Sequence, residues 1–290
     1  MNERDNLRIY GIVDKKITNI ELPKTKNNDT VNNNSSSLTI VMTYLNRKRQ
    51  LRNTLQSIKQ YNDDINIIII DDSSTDGEDI YCFENDHIKI IRMKNKTWIN
   101  PSIAFNTGLI QANTDIILMQ GAECMHMGNI IEHILVNIKK NVYLSYAALS
   151  INKTLTQRLF MGEDIYSIIN PHLNDYINGN GGTGWYNHSR YRPEALHFCC
   201  AIMREDLHEL GGFDERYANG LGYEDNDFVH RIKMKHMDIK IIDNPFVVHQ
   251  FHEPFNPGPV PTLMAINEPI YNQAISTNQY DVKLHNKIFK

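Results

Sequence analysis

The chain has 290 residues, 41% hydrophobic and 22% charged, with 30 basic residues against 34 acidic ones. A formal net charge of −4 argues against binding nucleic acid through bulk positive charge, and the length suffices for one large α/β domain or two apposed lobes. No apolar run approaches the roughly 20 residues that span a bilayer, and the start is too polar for a signal peptide. A soluble protein without a transmembrane segment is therefore expected, in the cytoplasm, with association to a membrane left open.

Residues 1–36 read as an arm and linker. Two short β-like pieces, near residues 7–13 and 17–22, precede a low-complexity Asn/Ser stretch with nothing to bury. From residue 37 strand and helix patterns alternate. Residues 38–43 (LTIVMT) form a β-branched apolar run, and residues 47–60 carry Leu51, Leu55 and Ile58 at helical spacing. Residues 65–70 (INIIII) are almost wholly apolar, as in a strand buried on both faces of a parallel sheet. A strand at 87–91, a helix at 102–111, a strand at 115–119, a helix at 129–139 and a strand at 142–148 follow. This order predicts right-handed βαβ units and an open, mostly parallel sheet with helices on both faces.

The second half is less regular. Residues 179–184 (GNGGTG) read as a lid-like loop, residues 222–235 as a helix opened by Gly222-Tyr223-Glu224-Asp225, and residues 239–248 as a last strand. Residues 256–290 read as a C-terminal arm. The four cysteines, Cys82, Cys124, Cys199 and Cys200, include no CxxC pair, which excludes a zinc ribbon and a disulfide framework and leaves buried free thiols in a reducing compartment.

In an open α/β sheet a ligand sits beyond the carboxyl ends of the strands, and polar residues gather there. Thr43, Asn46 and Arg47 follow the first strand of this sheet, Asp71 and Asp72 the second, and Gln120 to Glu123 the strand ending at Met119. Asp72-Ser73-Ser74 can also be read as a simple turn or cap, but two acids directly after Ile67–Ile70 call for a partner. There is no GxGxxG or GxxxxGK[ST] after a strand, which argues against a dinucleotide fold and a P-loop.

The segments SLTIVMTYLNRKRQLRNTLQSI, INIIIIDDSSTDG, AFNTGLIQANTDIILMQGAE and GGFDERYANGLGYEDNDFVHRI, in this order over residues 37–255, resemble a family 2 glycosyltransferase of the GT-A fold. The last segment is also similar to the GWGGEDDD-type motif of β-1,4-galactosyltransferases. The resemblance implies a nucleotide-sugar-binding half at 37–150, an acceptor-binding and catalytic half at 151–255, and inverting transfer of a hexosyl or N-acetylhexosaminyl group from a UDP-sugar to a glycan or glycoconjugate hydroxyl. It places the nucleotide on Thr43, Asn46, Arg47, Asp71, Asp72 and Asn106. It makes Asp225 the catalytic base, with Glu224 holding acceptor hydroxyls and Asp227 supporting the loop; acids there also suit a helix N-terminus without any catalytic role.

One departure stands out. Where the family carries a metal-binding Asp-x-Asp, this chain has Gly121-Ala122-Glu123. By resemblance Glu123, with His249 or His252, is expected to hold Mn2+ or Mg2+, with His126 near enough to contribute. On an extended strand residues i and i+3 point different ways, so one of the two histidines is expected to ligate. The rival reading is a silent nucleotide-sugar- or glycan-binding module with a degenerate metal motif. Trp185, Tyr186, Tyr191 and His197 are candidates for the acceptor pocket, since aromatic faces stack on sugars, or else core residues.

Overall fold

The computed structural model describes residues 9–13, 16–20, 37–176, 181–253, 258–278 and 282. The Asn/Ser linker, residues 179 and 180 of the glycine-rich loop and most of the chain after 278 lie outside the described residues. The chain divides into two compact units, Met1–Ser35 and Ser36–Lys290. In the first, β1 (Ile9–Val13) pairs antiparallel with β2 (Lys16–Ile20), Ile9 opposite Ile20.

The second unit runs β3 (Leu38–Tyr44), α1 (Lys48–Lys59), β4 (Asn66–Asp71), β5 (Ile88–Arg92), α2 (Ser102–Gln111), β6 (Ile116–Gly121), β7 (Cys124–Met127), α3 (Ile130–Asn137) and β8 (Val142–Ile151). It continues with α4 (Lys153–Phe160), α5 (Ile165–Ile169), β9 (Gly184–Asn187), β10 (Cys199–Met203), α6 (Arg204–Leu210), α7 (Glu224–Met234), β11 (Asp238–Gln250) and α8 (Val260–Thr277). The sheet order is β5-β4-β3-β6-β10-β8-β11-β7, with β9 on β8. β3 to β6 are parallel, β10 is antiparallel to both β6 and β8, and β8 and β11 are parallel again. Strands β3, β4, β5, β6, β8 and β11 thus share one direction, and their carboxyl ends form one edge.

Alternation along the strands sorts the core into two layers. Ile40, Met42 and Tyr44 face α1 and α3, where Leu51, Ile58, Ile130 and Ile134 meet them. Val41 faces the other way, onto α2, α6 and α7 through Ala104, Leu109, Leu207, Phe228 and Ile232. Both faces of the central strands are covered, which is why β4 carries four successive isoleucines and all ten residues of β8 are buried. Side-chain caps start three helices: Asn129, Asn152 and Asp164 accept the N–H of Glu132, Leu155 and Ser167.

The sequence reading did not include β7, α4, α5, β9 or α6, and two further departures bear on the site. β10, only five residues long, enters the sheet between β6 and β8 from a stretch with no clear periodicity. Residues 260–277, expected as part of an arm, form helix α8 with Leu263, Asn267 and Ala274 buried. Of the cysteines, Cys124, Cys199 and Cys200 are buried, whereas Cys82 is exposed. Among the described residues no helix is long and apolar enough to cross a membrane.

Helix α2 sits close to the sheet because Gly108 has no side chain: a Cβ there would lie 2.5 Å from Val41 Cγ1 and 3.0 Å from Ile70 Cγ1. Gly108→Ala should therefore overpack this layer and cost about 1–3 kcal/mol in chemical denaturation, despite the better helix propensity of alanine.

Candidate active site

The parallel register sets Thr43 level with Ile70 on one side and Gly121 on the other, and Tyr44 level with Asp71. The ends of β3, β4 and β6 are therefore side by side. β7 turns back from β6 and pairs with the end of β11, Cys124 opposite His249. Gln250 locks this corner. Its backbone N–H and its Nε2 both donate to Glu123 O, at 3.2 and 3.0 Å, while its Oε1 accepts from Asn53 at 2.9 Å.

Glu123 is buried. Its Oε2 lies 2.6 Å from Arg47 Nη1, and its Oε1 lies 3.3 Å from His249 Nε2 and 3.7 Å from His252 Nε2. Burial alone would raise its pKa, but Arg47, His249 and His252 more than offset this and hold the carboxyl well below the usual range. The missing first acid has a steric counterpart: a Cβ on Gly121 would stand 2.5 Å from Glu123 Oε1. The longer side chain folds back over the place an acid at 121 would need. Ligand atoms of Glu123, His249 and His252 all lie within 4.8 Å of one another, a donor set of one carboxylate and two imidazoles. Burial, then Arg47, pushes His252 down to about 4, so at neutral pH its ring offers a lone pair.

Both imidazoles stand within 4 Å of Glu123 Oε1. β11 ends at Gln250, so strand alternation does not govern His252. His126 is not part of the cluster. Its Nε2 is 2.7 Å from Gln120 Oε1, and burial drives its pKa down to about 3.

At the β3 and β4 ends, Asn46 sits at φ 53° and its Oδ1 accepts the N–H of Thr75 and Asp76, joining the two loops. Asp71 Oδ1 accepts from Ser74 N at 2.9 Å, which is the cap role, and its Oδ2 is 3.6 Å from Arg92 Nε. Asp72 is paired with Lys96 and accepts from Trp98 Nε1 at 2.8 Å; burial raises its pKa against the pull of Lys96. Asn106 has another task. Its carboxamide accepts from Phe213 N at 2.8 Å and donates to Phe213 O at 2.8 Å and Glu215 Oε1 at 3.1 Å, which staples α2 to the Gly211–Glu215 loop and leaves it fully buried.

Helix α7 starts from Tyr223, a non-glycine residue at φ 71°. Glu224 is buried, and burial, reinforced by Asp225, pushes its pKa up to about 8, with the Asn100 side chain pulling the other way. Asp225 is half-buried and accepts from Asn226 N. Asp227 is buried against Arg231 at 2.7 Å and Tyr217 Oη at 3.3 Å, and Arg231 also donates to the carbonyls of Leu210 and Gly212, so this acid supports the loop. The segment before α2 ties the two ends of the site together: the N–H groups of Ile99 and Asn100 both donate to Ala218 O. Sequence reasoning passed over Asn100 and Gln250; their signals were an Asn before a Pro at a helix start and a polar residue ending a buried strand.

The four aromatic candidates separate. Trp185 is 3% exposed, packs on Phe246 and donates to Leu173 O, so it is a core residue rather than part of a pocket. Tyr191 faces Tyr176 and donates to Asn174. Tyr186 stacks on Phe198, stands edge-on to His249 and accepts Gly181 N–H on its hydroxyl. His197 packs between Phe105 and Phe213, and the charges of Asp225 and Glu123 both act on it against the stronger effect of burial, which lowers its pKa.

The sheet and its polar edge define a GT-A glycosyltransferase fold. Residues 39–210 match the family described as glycosyl transferase family 2, and residues 188–253 match the N-terminal domain of galactosyltransferase. The chain belongs to glycosyl transferase family 2. Among solved structures it is similar to the mannosyltransferase PcManGT from Pyrobaculum calidifontis in complex with GDP-Man and Mn2+, with a TM-score of 0.53 at 14% identity over 86% of this chain. The match spans 66% of that protein, just under two thirds. No curated protein matches the chain.

The Glu224 shift has a measurable sign. With a folded-state value of about 8 against an ordinary 4.5, the folded protein keeps a proton that the unfolded chain releases, so this residue removes stability as pH rises from about 4.5 to 8. Glu224→Gln should melt like the wild type near pH 4 and above it at pH 8.5, by an amount on the order of 5 kcal/mol at most.

Proposed function

We propose that this glycosyltransferase is inverting and moves a hexosyl or N-acetylhexosaminyl group from a UDP-sugar to a hydroxyl of a glycan or glycoconjugate. The observation that carries the reading is the shared site: Glu123, His249 and His252 converge on the edge where β3 and β4 end, and His197 lies in the field of both Glu123 and Asp225. The nucleotide is assigned to the strand ends, with Thr43, Asp71 and Asp72 beside the loop that Asn46 shapes. Asn106 is left out because its carboxamide is engaged within the chain.

In the proposed mechanism Asp225 accepts the proton of the acceptor hydroxyl as that oxygen attacks the anomeric carbon. The new carbon–oxygen bond forms on the face opposite the breaking bond to the diphosphate, which inverts the centre. Glu224, protonated below about pH 8, donates a hydrogen bond toward an acceptor oxygen. Tyr186 and His197 border the acceptor side. Glu123, His249 and His252 would hold Mn2+, a better match than Mg2+ to two imidazoles, and the ion would supply positive charge against the departing diphosphate. Arg47, ion-paired with Glu123, adds permanent positive charge at that corner.

The same Arg47–Glu123 pair favours a second reading, since it engages the carboxylate a metal would use: a silent nucleotide-sugar-binding module. Donor turnover separates the two. Incubated with a panel of UDP- and GDP-sugars, the protein should release nucleoside diphosphate from one donor, and only with Mn2+; nucleotide binding with no release from any donor and acceptor pair would support the silent module. Asp225→Asn should lower transfer about 10²–10⁴-fold with nucleotide affinity intact, by calorimetric titration with UDP.

A further inference from the structure

We propose that α8 belongs to the catalytic unit, with Asn267 as the positioning residue that holds the loop from which Glu224 and Asp225 project. The role assigned to that loop rests on the function proposed above. Helix α8 lies beyond both family matches, which end at residues 210 and 253.

Asn267 lies on the buried side of α8 and has no exposed surface. A buried carboxamide in a helix is costly unless it is hydrogen-bonded. Its Nδ2 donates to Gly222 O at 2.8 Å and to Tyr217 O at 3.1 Å, spanning the turn before the loop and the loop itself. One turn earlier on α8, Leu263 O accepts the N–H of Leu221 at 3.1 Å. Gly220 makes the approach possible: a Cβ there would stand 2.2 Å from Asn267 Oδ1, 2.5 Å from its Cγ and 2.8 Å from its Nδ2. The carboxamide therefore touches residues 217, 220 and 222, immediately ahead of Glu224.

The loop needs such a hold. Gly222 and Tyr223 both lie at φ 71°, and Tyr223 pays a steric cost in the left-handed region that persists only where the surroundings over-determine it. No side chain caps α7 at Tyr223. What fixes the residue from outside is α8, through Asn267 on the Gly222 carbonyl and through Tyr271, whose ring centroid is 5.4 Å from that of Tyr223. Released from this hold, the φ/ψ pair at residues 222 and 223 can relax, and Asp225 would move with it. A base displaced by about 1 Å can cost about 10²-fold in rate.

The test uses four full-length variants, Asn267→Ala, Asn267→Asp, Gly220→Ala and the Gly220→Ala/Asn267→Ala double. Asn267→Ala should lower kcat for transfer by about 10²-fold while the donor KM stays as in the wild type. Asn267→Asp keeps the shape but removes both donors, so it should be at least as impaired. Gly220→Ala should be damaging alone and far less so in the Asn267→Ala background, because the three atoms nearest its methyl all belong to Asn267. In hydrogen exchange, amides of residues 220–225 should open faster in Asn267→Ala while β3 and β6 stay protected. Unchanged exchange in that loop, an equal Gly220→Ala penalty in both backgrounds, or a lowered Tm with kcat intact would each overturn the proposal. Failure of the wild type to transfer sugar would count against the function above, while the exchange and double-mutant stability data would still decide whether Asn267 holds the loop.

Discussion

A carboxylate buried at the end of a strand must be balanced, and Glu123 sets the terms for everything near it. Desolvation of this one group calls for Arg47 on one side and two imidazoles on the other. Those partners come from three places: the loop after β3, the last strand, and the residues just past it. The carboxylate can be there only because β6 ends in a glycine over which it folds. Gln250 then fixes the carbonyl of the same residue, so the backbone and the side chain of Glu123 are each held by β11. In this Gly-x-Glu sequence the Glu123 carboxylate fills the space a side chain at 121 would need.

The start of α7 follows a different logic. Glu224 is held uncharged by burial up to about pH 8, and its neighbour Asp225 stays half-buried. Two adjacent acids on the first turn of α7 are thus placed in unlike environments, which is how one pair can divide donor and acceptor roles. The helix start is strained at Tyr223 and braced by buried groups: Asp227 with Arg231 beneath, and α8 from outside. The segment from Lys96 to Asn100 connects the two regions, pairing with Asp72 at one end and with Ala218 at the other.

Much of the sheet could be read from the sequence because its strands are buried on both faces. The run Ile67–Ile70 has no polar alternation to confuse with a helix, and Asp71 and Asp72 mark its end. Helices α1, α2 and α7 were legible from apolar spacing and from acids at a first turn. β10 was not, since five residues carry no period, and its antiparallel insertion depends on partners at residues 116–120 and 143–145. Trp185 and Asn106 illustrate the same limit on the site. An aromatic near a glycine-rich loop and an Asn in a helix look available for a ligand until the structure buries one in the core and bonds the other to Phe213.

The alternation of strand and helix through residue 148, the polar strand ends and the Glu224-Asp225 pair were determined by the sequence alone, because periodicity and chain order are local properties. Which polar residues meet was decided only by the tertiary structure. His252 joins His249 because the strand stops between them, His126 is excluded because it points to Gln120, and α8 reaches the loop before α7 from more than 40 positions away through Asn267. Such meetings depend on strand register, on where a strand ends and on the absence of a Cβ at Gly121 and Gly220. These are properties of packed elements that no single segment carries.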